Sequence, residues 1–136
     1  MYFCQICNKP ADIHHIVHRS EGGFDIEINY MYLCQKHHRG KLGPHQNLTK
    51  DIEYKIELQK SLYNLLTKKF YSSRDLGIIL NAPKNTIKRI TKHLKLYKEG
   101  FKTDHIIFSI MGNAYYPEEL LQKIELENIC KEIYKI

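Results

Sequence analysis

Two metal-ligand spacings, Cys4-x-x-Cys7 and Cys34-x-x-His37, stand near the start of a 136-residue sequence and limit how that part of it can fold. Ligands two residues apart can sit on one side of a tight turn, and two such knuckles make a tetrahedral Cys3His site for zinc. The segment needs such a staple. Residues 1–50 hold glycine and polar runs with little helical periodicity, a poor recipe for an apolar core, so a bound metal would supply folding energy. A second reading of the same residues is two reduced thiols in a small core beside an unrelated histidine. Cys130 has no partner spacing and reads as a buried residue of a last helix. Four cysteines at uneven spacing do not suggest a disulfide framework. There is no basic n-region and no long apolar run, so a soluble cytoplasmic protein without membrane contact is expected.

Histidine and positive charge are segregated. Six of the eight histidines fall in the first third of the chain. Residues 51–100 carry eleven Lys/Arg against five Asp/Glu, whereas residues 1–50 carry six against four. The net charge of +6 favours a polyanionic partner, and its distribution implies two jobs in two regions. After the knuckles are assigned, His14, His15, His38 and His45 are left over. Short runs at Ile13–Val17 and Ile28–Leu33 could be strands, with Gly22-Gly23 in the loop between them. Adjacent histidines on a strand point to opposite faces, so one ring can bind metal while the other faces water. His38 and His45 flank a glycine-containing turn and could converge on one cation. His18 lies close enough to compete for a role, although it reads first as a surface histidine.

The run CxxC, HHIV, S-x-GG, N-x3-LC-x-x-HH and a following histidine resembles the HNH endonucleases of ββα-metal fold, over about residues 1–50. Phage-encoded HNH proteins look most similar, including the RG-x-x-G-x-H segment at Arg39–His45. The resemblance implies that His14, His38 and His45 bind a catalytic divalent metal. It also implies that His15 is the general base and that Asn29 hydrogen-bonds backbone to orient the loop bearing it. The chain departs from the family by having His37 where cysteine is usual, and by a longer interval between His38 and His45.

That set matches phosphodiester hydrolysis. An imidazole near its reference pKa is a competent base towards water at neutral pH, and a divalent ion neutralises charge at phosphorus and at the leaving oxygen. Mg2+, Mn2+ or another divalent ion could serve, because histidine-rich coordination suits softer ions. Arg39 or Lys41 could hold the phosphate. By resemblance, the products would be a 5′-phosphate and a 3′-hydroxyl.

From Asp51 onward the periodicity is helical. Ile52, Ile56, Tyr63, Leu66 and Phe70 recur at helical intervals, widened by Leu58, Leu62 and Leu65. Ser72 or Ser73 could cap a helix through Leu80, and Asn81-Ala82-Pro83 breaks it. A further helix is expected over 85–97, with Ile87, Ile90, Leu94 and Tyr97 on one stripe and Lys88, Arg89, Lys92 and Lys95 on the rest. Lys84 and Lys98 lie at its ends. Thr103 could cap another helix stopping at Gly112, and Pro117 suits the start of a last helix, core-forming like that of 52–70. The expected architecture is α+β: a zinc-stapled module over 1–50, then a helical bundle over 51–136 with a helix-turn-helix-like element at 72–97. The second helix of such an element commonly enters the major groove of DNA. The basic stretch reads either as a phosphate-contacting face or as the solvated side of a bundle helix.

Two functions of different class are therefore expected of such a chain. The first is a metal-dependent HNH endonuclease acting on DNA, with a homing or nicking role and phage origin suggested by resemblance. The second is an HNH-like binding protein that inhibits a host defence nuclease, in the manner of an anti-restriction or anti-CRISPR factor, or regulates transcription. A homodimer is a further expectation, since twofold dimers are common.

Overall fold

Strand β2 (Pro10–His15) is the middle of a three-stranded antiparallel sheet, between β1 (Tyr2–Phe3) and β3 (Tyr30–Leu33). The computed structural model describes residues 1–134. Side chains alternate across a strand, so His14 is buried while its neighbour His15 remains half-buried. The register sets His14 opposite Met31 and His15 opposite Tyr30. The strand ends two residues earlier than Ile13–Val17 implies, because the backbone of Val17 bonds to the Asn29 side chain instead of continuing the ladder. Likewise β3 begins at Tyr30, after a 3-10 turn at Glu27–Asn29. Helix α1 (Gln35–His38) is a single turn that follows β3 directly.

Helix α2 (Leu48–Leu65) starts at Asn47, whose side chain accepts the Lys50 N–H at 3.1 Å. Ile52, Ile56, Leu58 and Leu62 lie on its buried face, whereas Tyr63 and Leu65 are exposed. The helical stripe expected to reach Phe70 stops short, because Phe70 and Tyr71 form β4. Helix α3 (Ser73–Ile79) is capped by Ser72, whose hydroxyl accepts the Asp75 N–H at 3.1 Å. Asn81, at a φ of 50°, makes the turn into α4 (Lys84–Thr91).

The helix expected over 85–97 is thus shorter. Leu96–Tyr97 (β5) turns back to pair with β6 (Gly100–Lys102), and β6 also pairs with β4, giving the order β4-β6-β5. Gly100 makes this possible. Its φ is 124°, and a Cβ there would collide with the backbone of Tyr71. The C-terminal region is therefore not the all-helical bundle expected, but helices with a second small sheet. Helix α5 (Thr103–Ile110) follows at once, and Thr103 does not cap it; its hydroxyl donates to the Lys68 carbonyl.

Helix α6 (Glu119–Ile133) departs most from expectation. Among its described residues none is buried, and Leu126, Ile129, Cys130 and Ile133 are exposed. Among the described residues its later turns, from Glu125 onward, are exposed throughout, so neither the core-forming helix nor the buried Cys130 is found. Residues 135 and 136 of that expected helix lie outside the described residues. No helix is long and apolar enough to cross a membrane among the described residues. One contiguous hydrophobic cluster contains residues from both halves of the chain: Ile16, Val17, Ile26 and Leu33 join Tyr54, Leu58, Leu62, Leu76, Ile90 and Ile106. The N-terminal sheet and the helical region thus share a core.

Candidate metal centres

The two knuckles meet. One ligand atom each from Cys4, Cys7, Cys34 and His37 lies within 4.8 Å of all the others. Cys7 and Cys34 have their sulfurs 3.6 Å apart, and His37 Nδ1 is 3.2 Å from Cys34 Sγ and 3.7 Å from Cys4 Sγ. A disulfide needs about 2 Å, whereas zinc–sulfur bonds of about 2.3 Å place tetrahedral sulfurs roughly 3.7 Å apart. The donor set therefore fits a tetrahedral Cys3His ion such as zinc. Burial opposes the Cys4 thiolate, yet the backbone N–H groups of Cys34, Cys7 and Ile6 outweigh it and bring the pKa down to about 6. Ligand deprotonation, which thiolate coordination requires, is thus favoured by the knuckle backbone itself.

The second cluster is built from β2, α1 and the loop after it. His14, His38 and His45 each offer a ring nitrogen within 4.8 Å of the other two. His38 Nε2 and His45 Nε2 are 2.9 Å apart, and the His14 ring centroid lies 4.8 Å from that of His38 and 5.1 Å from that of His45. The short helix α1 serves both clusters: successive residues of a helix point about 100° apart, so His37 turns to the thiolates and His38 to the imidazoles. His14 is 1% exposed, and its Nε2 has no hydrogen-bond partner among the described residues. A buried polar atom without a partner is costly, and a cation held by the three rings would satisfy it. Burial, followed by the neighbouring His38, His45 and His18, pushes the His14 pKa down to about 3. Burial and His45 bring His38 to about 4. Both are neutral at physiological pH, the state in which imidazole binds metal.

An open cleft of about 260 Å³ lies over this cluster, lined by His14, His15, His18, Arg19, His38, Arg39 and His45 among others. Lys41 is exposed but is not part of the lining. Within the cleft His15 does not join the other rings; its Nε2 meets Asp25 Oδ1 at 2.7 Å. Asn29 is fully buried. Its Oδ1 accepts the Val17 N–H at 2.8 Å, and its Nδ2 donates to the carbonyls of Val17 and Phe24 at 3.0 Å. Gly23 lies in the same loop, where a Cβ would collide with the Val17 carbonyl oxygen. The loop that follows β2 is therefore folded tightly against the end of its own strand.

His18 is no isolated surface residue. Its ring stacks on His45 at 5.0 Å, its Nδ1 is 3.3 Å from Glu21 Oε1, and its Nε2 is 3.3 Å from Asp51 Oδ1. Behind it lies Lys55, 2% exposed, with its Nζ 2.7 Å from Asp51 Oδ2 and 2.8 Å from Glu21 Oε2. Burial works against the Lys55 ammonium, but the two carboxylates outweigh it and raise its pKa above the usual lysine value. This network ties the turn after β2 to helix α2. The spacing of Asp51 and Lys55, four apart in a helix, is legible in sequence as an ion pair. No spacing rule points to Glu21, Asp25 or Arg19.

Lys84, Lys88 and Arg89 are exposed on α4, and Lys92 and Lys95 are exposed on the segment that leads into β5. Lys95 Nζ sits 4.7 Å from the Tyr97 ring centroid. Comparison with protein-family models, with curated proteins and with solved structures finds no match to this chain.

Proposed function

We propose that this chain is a metal-dependent endonuclease of the HNH type that hydrolyses DNA phosphodiester bonds. The observation that carries this reading is the convergence of His14, His38 and His45 beneath a cleft that His15 also lines. A divalent ion bound there would neutralise charge at phosphorus and at the leaving oxygen. His15, on the solvent side of β2, takes a proton from water. Arg39, at the rim, holds a phosphate oxygen by a charge-assisted hydrogen bond, with Lys41 nearby on the same loop. Asn29 keeps the loop in place. The Cys3His site is structural, holding α1 so that His38 meets His14.

The proposal extends to α4. Lys84, Lys88, Arg89, Lys92 and Lys95 present cations to solvent without an acidic residue among them, and such a face contacts phosphates and positions a duplex. The test is relaxation of supercoiled plasmid by metal-stripped protein resupplied with Mn2+, Mg2+ or Zn2+. Metal-dependent nicking abolished in His15→Ala is expected; nicking that survives this substitution removes His15 from the mechanism.

The exposed α4 face also favours a second reading, a DNA- or protein-binding factor that works without cleavage. In that case His15→Ala would be silent, and neutralising Lys88, Arg89 and Lys92 would abolish function.

A further inference from the structure

Asp25 lies between Gly23 and the buried Ile26, in the loop that Asn29 fastens to the end of β2. Its Oδ1 accepts three hydrogen bonds: His15 Nε2 at 2.7 Å, Arg19 Nη2 at 3.1 Å and Arg19 Nε at 3.2 Å. An ionised carboxylate can only accept, and a guanidinium can only donate. The proton between His15 and Asp25 therefore sits on His15 Nε2. The His15 hydrogen bond, reinforced by Arg19 against a small burial penalty, holds the Asp25 carboxyl below the usual carboxylate range. The Tyr30 ring, edge-on to His15 at 5.1 Å, limits how the imidazole can turn.

We propose that Asp25 is a positioning residue for His15, holding the imidazole as the Nε2–H tautomer in one orientation and leaving Nδ1 as the atom that accepts a proton. This rests on the nuclease reading, and it names a residue that neither the motif nor the metal clusters mark. It also explains why one buried asparagine reaches two places. Asn29 grips Val17, two residues after His15, and Phe24, one residue before Asp25. The base and its partner are thereby held in fixed relation. The proton balance is simple: water gives its proton to His15 Nδ1, the resulting imidazolium keeps its Nε2–H on Asp25, and the carboxylate stays ionised. This is how an acidic partner stabilises a general base without itself taking the proton.

The test compares wild type, Asp25→Ala, Asp25→Glu and Arg19→Ala by plasmid cleavage and by imidazole 15N NMR, with the His15 signals assigned through His15→Ala. Asp25 is more than half exposed at its side chain, so these variants should fold, and retained zinc content and an unchanged melt check this. In Asp25→Ala, kcat should fall about tenfold to a hundredfold at unchanged KM, and the His15 signals should move from a single Nε2–H tautomer to a mixture. Asp25→Glu should recover part of both, and Arg19→Ala should leave the tautomer intact. A wild-type His15 protonated at Nδ1, or a kcat for Asp25→Ala within twofold of wild type, overturns the proposal. If wild type cleaves no DNA under any metal, the nuclease reading fails alone, because the tautomer measurement still decides what Asp25 does.

Discussion

Asn29 and Val17 are joined by two hydrogen bonds, the Asn29 Oδ1 accepting the Val17 N–H at 2.8 Å and the Asn29 Nδ2 donating to the Val17 carbonyl at 3.0 Å. A carboxamide carries an acceptor oxygen and a donor nitrogen side by side in one plane, so it pairs with the Val17 peptide as a neighbouring strand would where β2 has ended. Asn29→Ala would leave buried backbone groups unpaired, each worth about 1–3 kcal/mol. A loss of about 2–4 kcal/mol in urea unfolding is therefore expected, with Asn29→Asp also destabilised because it loses both donors.

Lys55 offers a second prediction. It is buried between Asp51 and Glu21, and removing one member of a buried ion pair strands the others. Lys55→Met should destabilise by about 3–5 kcal/mol. Adding Asp51→Asn and Glu21→Gln to it should recover part of that loss in the same denaturation assay, since the stranded charge is then gone.

The thiolate centre predicts metal content. Purified protein should carry zinc that resists mild chelation, and Cys34→Ser should lose it and melt at lower temperature. Cys130→Ser, at an exposed position on α6, should keep both. Inductively coupled plasma measurements beside a thermal melt would decide this, and zinc retained in Cys34→Ser would break the assignment.

Acid should destabilise the fold in a defined window. Burial depresses His14 to about 3 and His38 to about 4 from an ordinary 6.5. Between those values and 6.5 the unfolded chain binds protons that the folded chain refuses, so stability rises with pH across the window. It is fully present above pH 6.5 and declines as pH falls through 5 towards 4. A bound cation at these rings competes with the same protons and adds to the same sign. Urea midpoints at pH 7 and pH 5 should therefore differ, and His14→Asn should narrow the difference.

Particular residues show how far local rules reach. The CxxC and CxxH spacings identified all four members of the thiolate cluster, because such ligands are held by a single turn. Adjacency of His14 and His15 on a strand was enough to separate an inward ring from an outward one. The sequence leaves His18 between a surface residue and a competitor for a role in the site, because its surroundings come largely from His45 and Asp51, far along the chain. The helix expected to run to Tyr97 ended at Thr91, because Leu96 and Tyr97 find a better ladder against Gly100 and Phe101, a competition that periodicity cannot register. The apolar residues of α6 carry a helical pattern, yet a pattern does not supply a surface to pack against.

From its amino acids alone this chain settled the Cys3His donor set, the alternation that separates His14 from His15, and the part of the buried face of α2 made by Ile52, Ile56, Leu58 and Leu62, all consequences of geometry within a few residues. Which carboxylates stand against which imidazoles was decided only when the chain closed on itself. Glu21, Asp25 and Asp51 acquire their roles from contacts with His18, His15 and Lys55, and the packing of the shared core sets those distances. Spacing along a chain fixes neighbours in a turn; only a packed interior fixes neighbours across it.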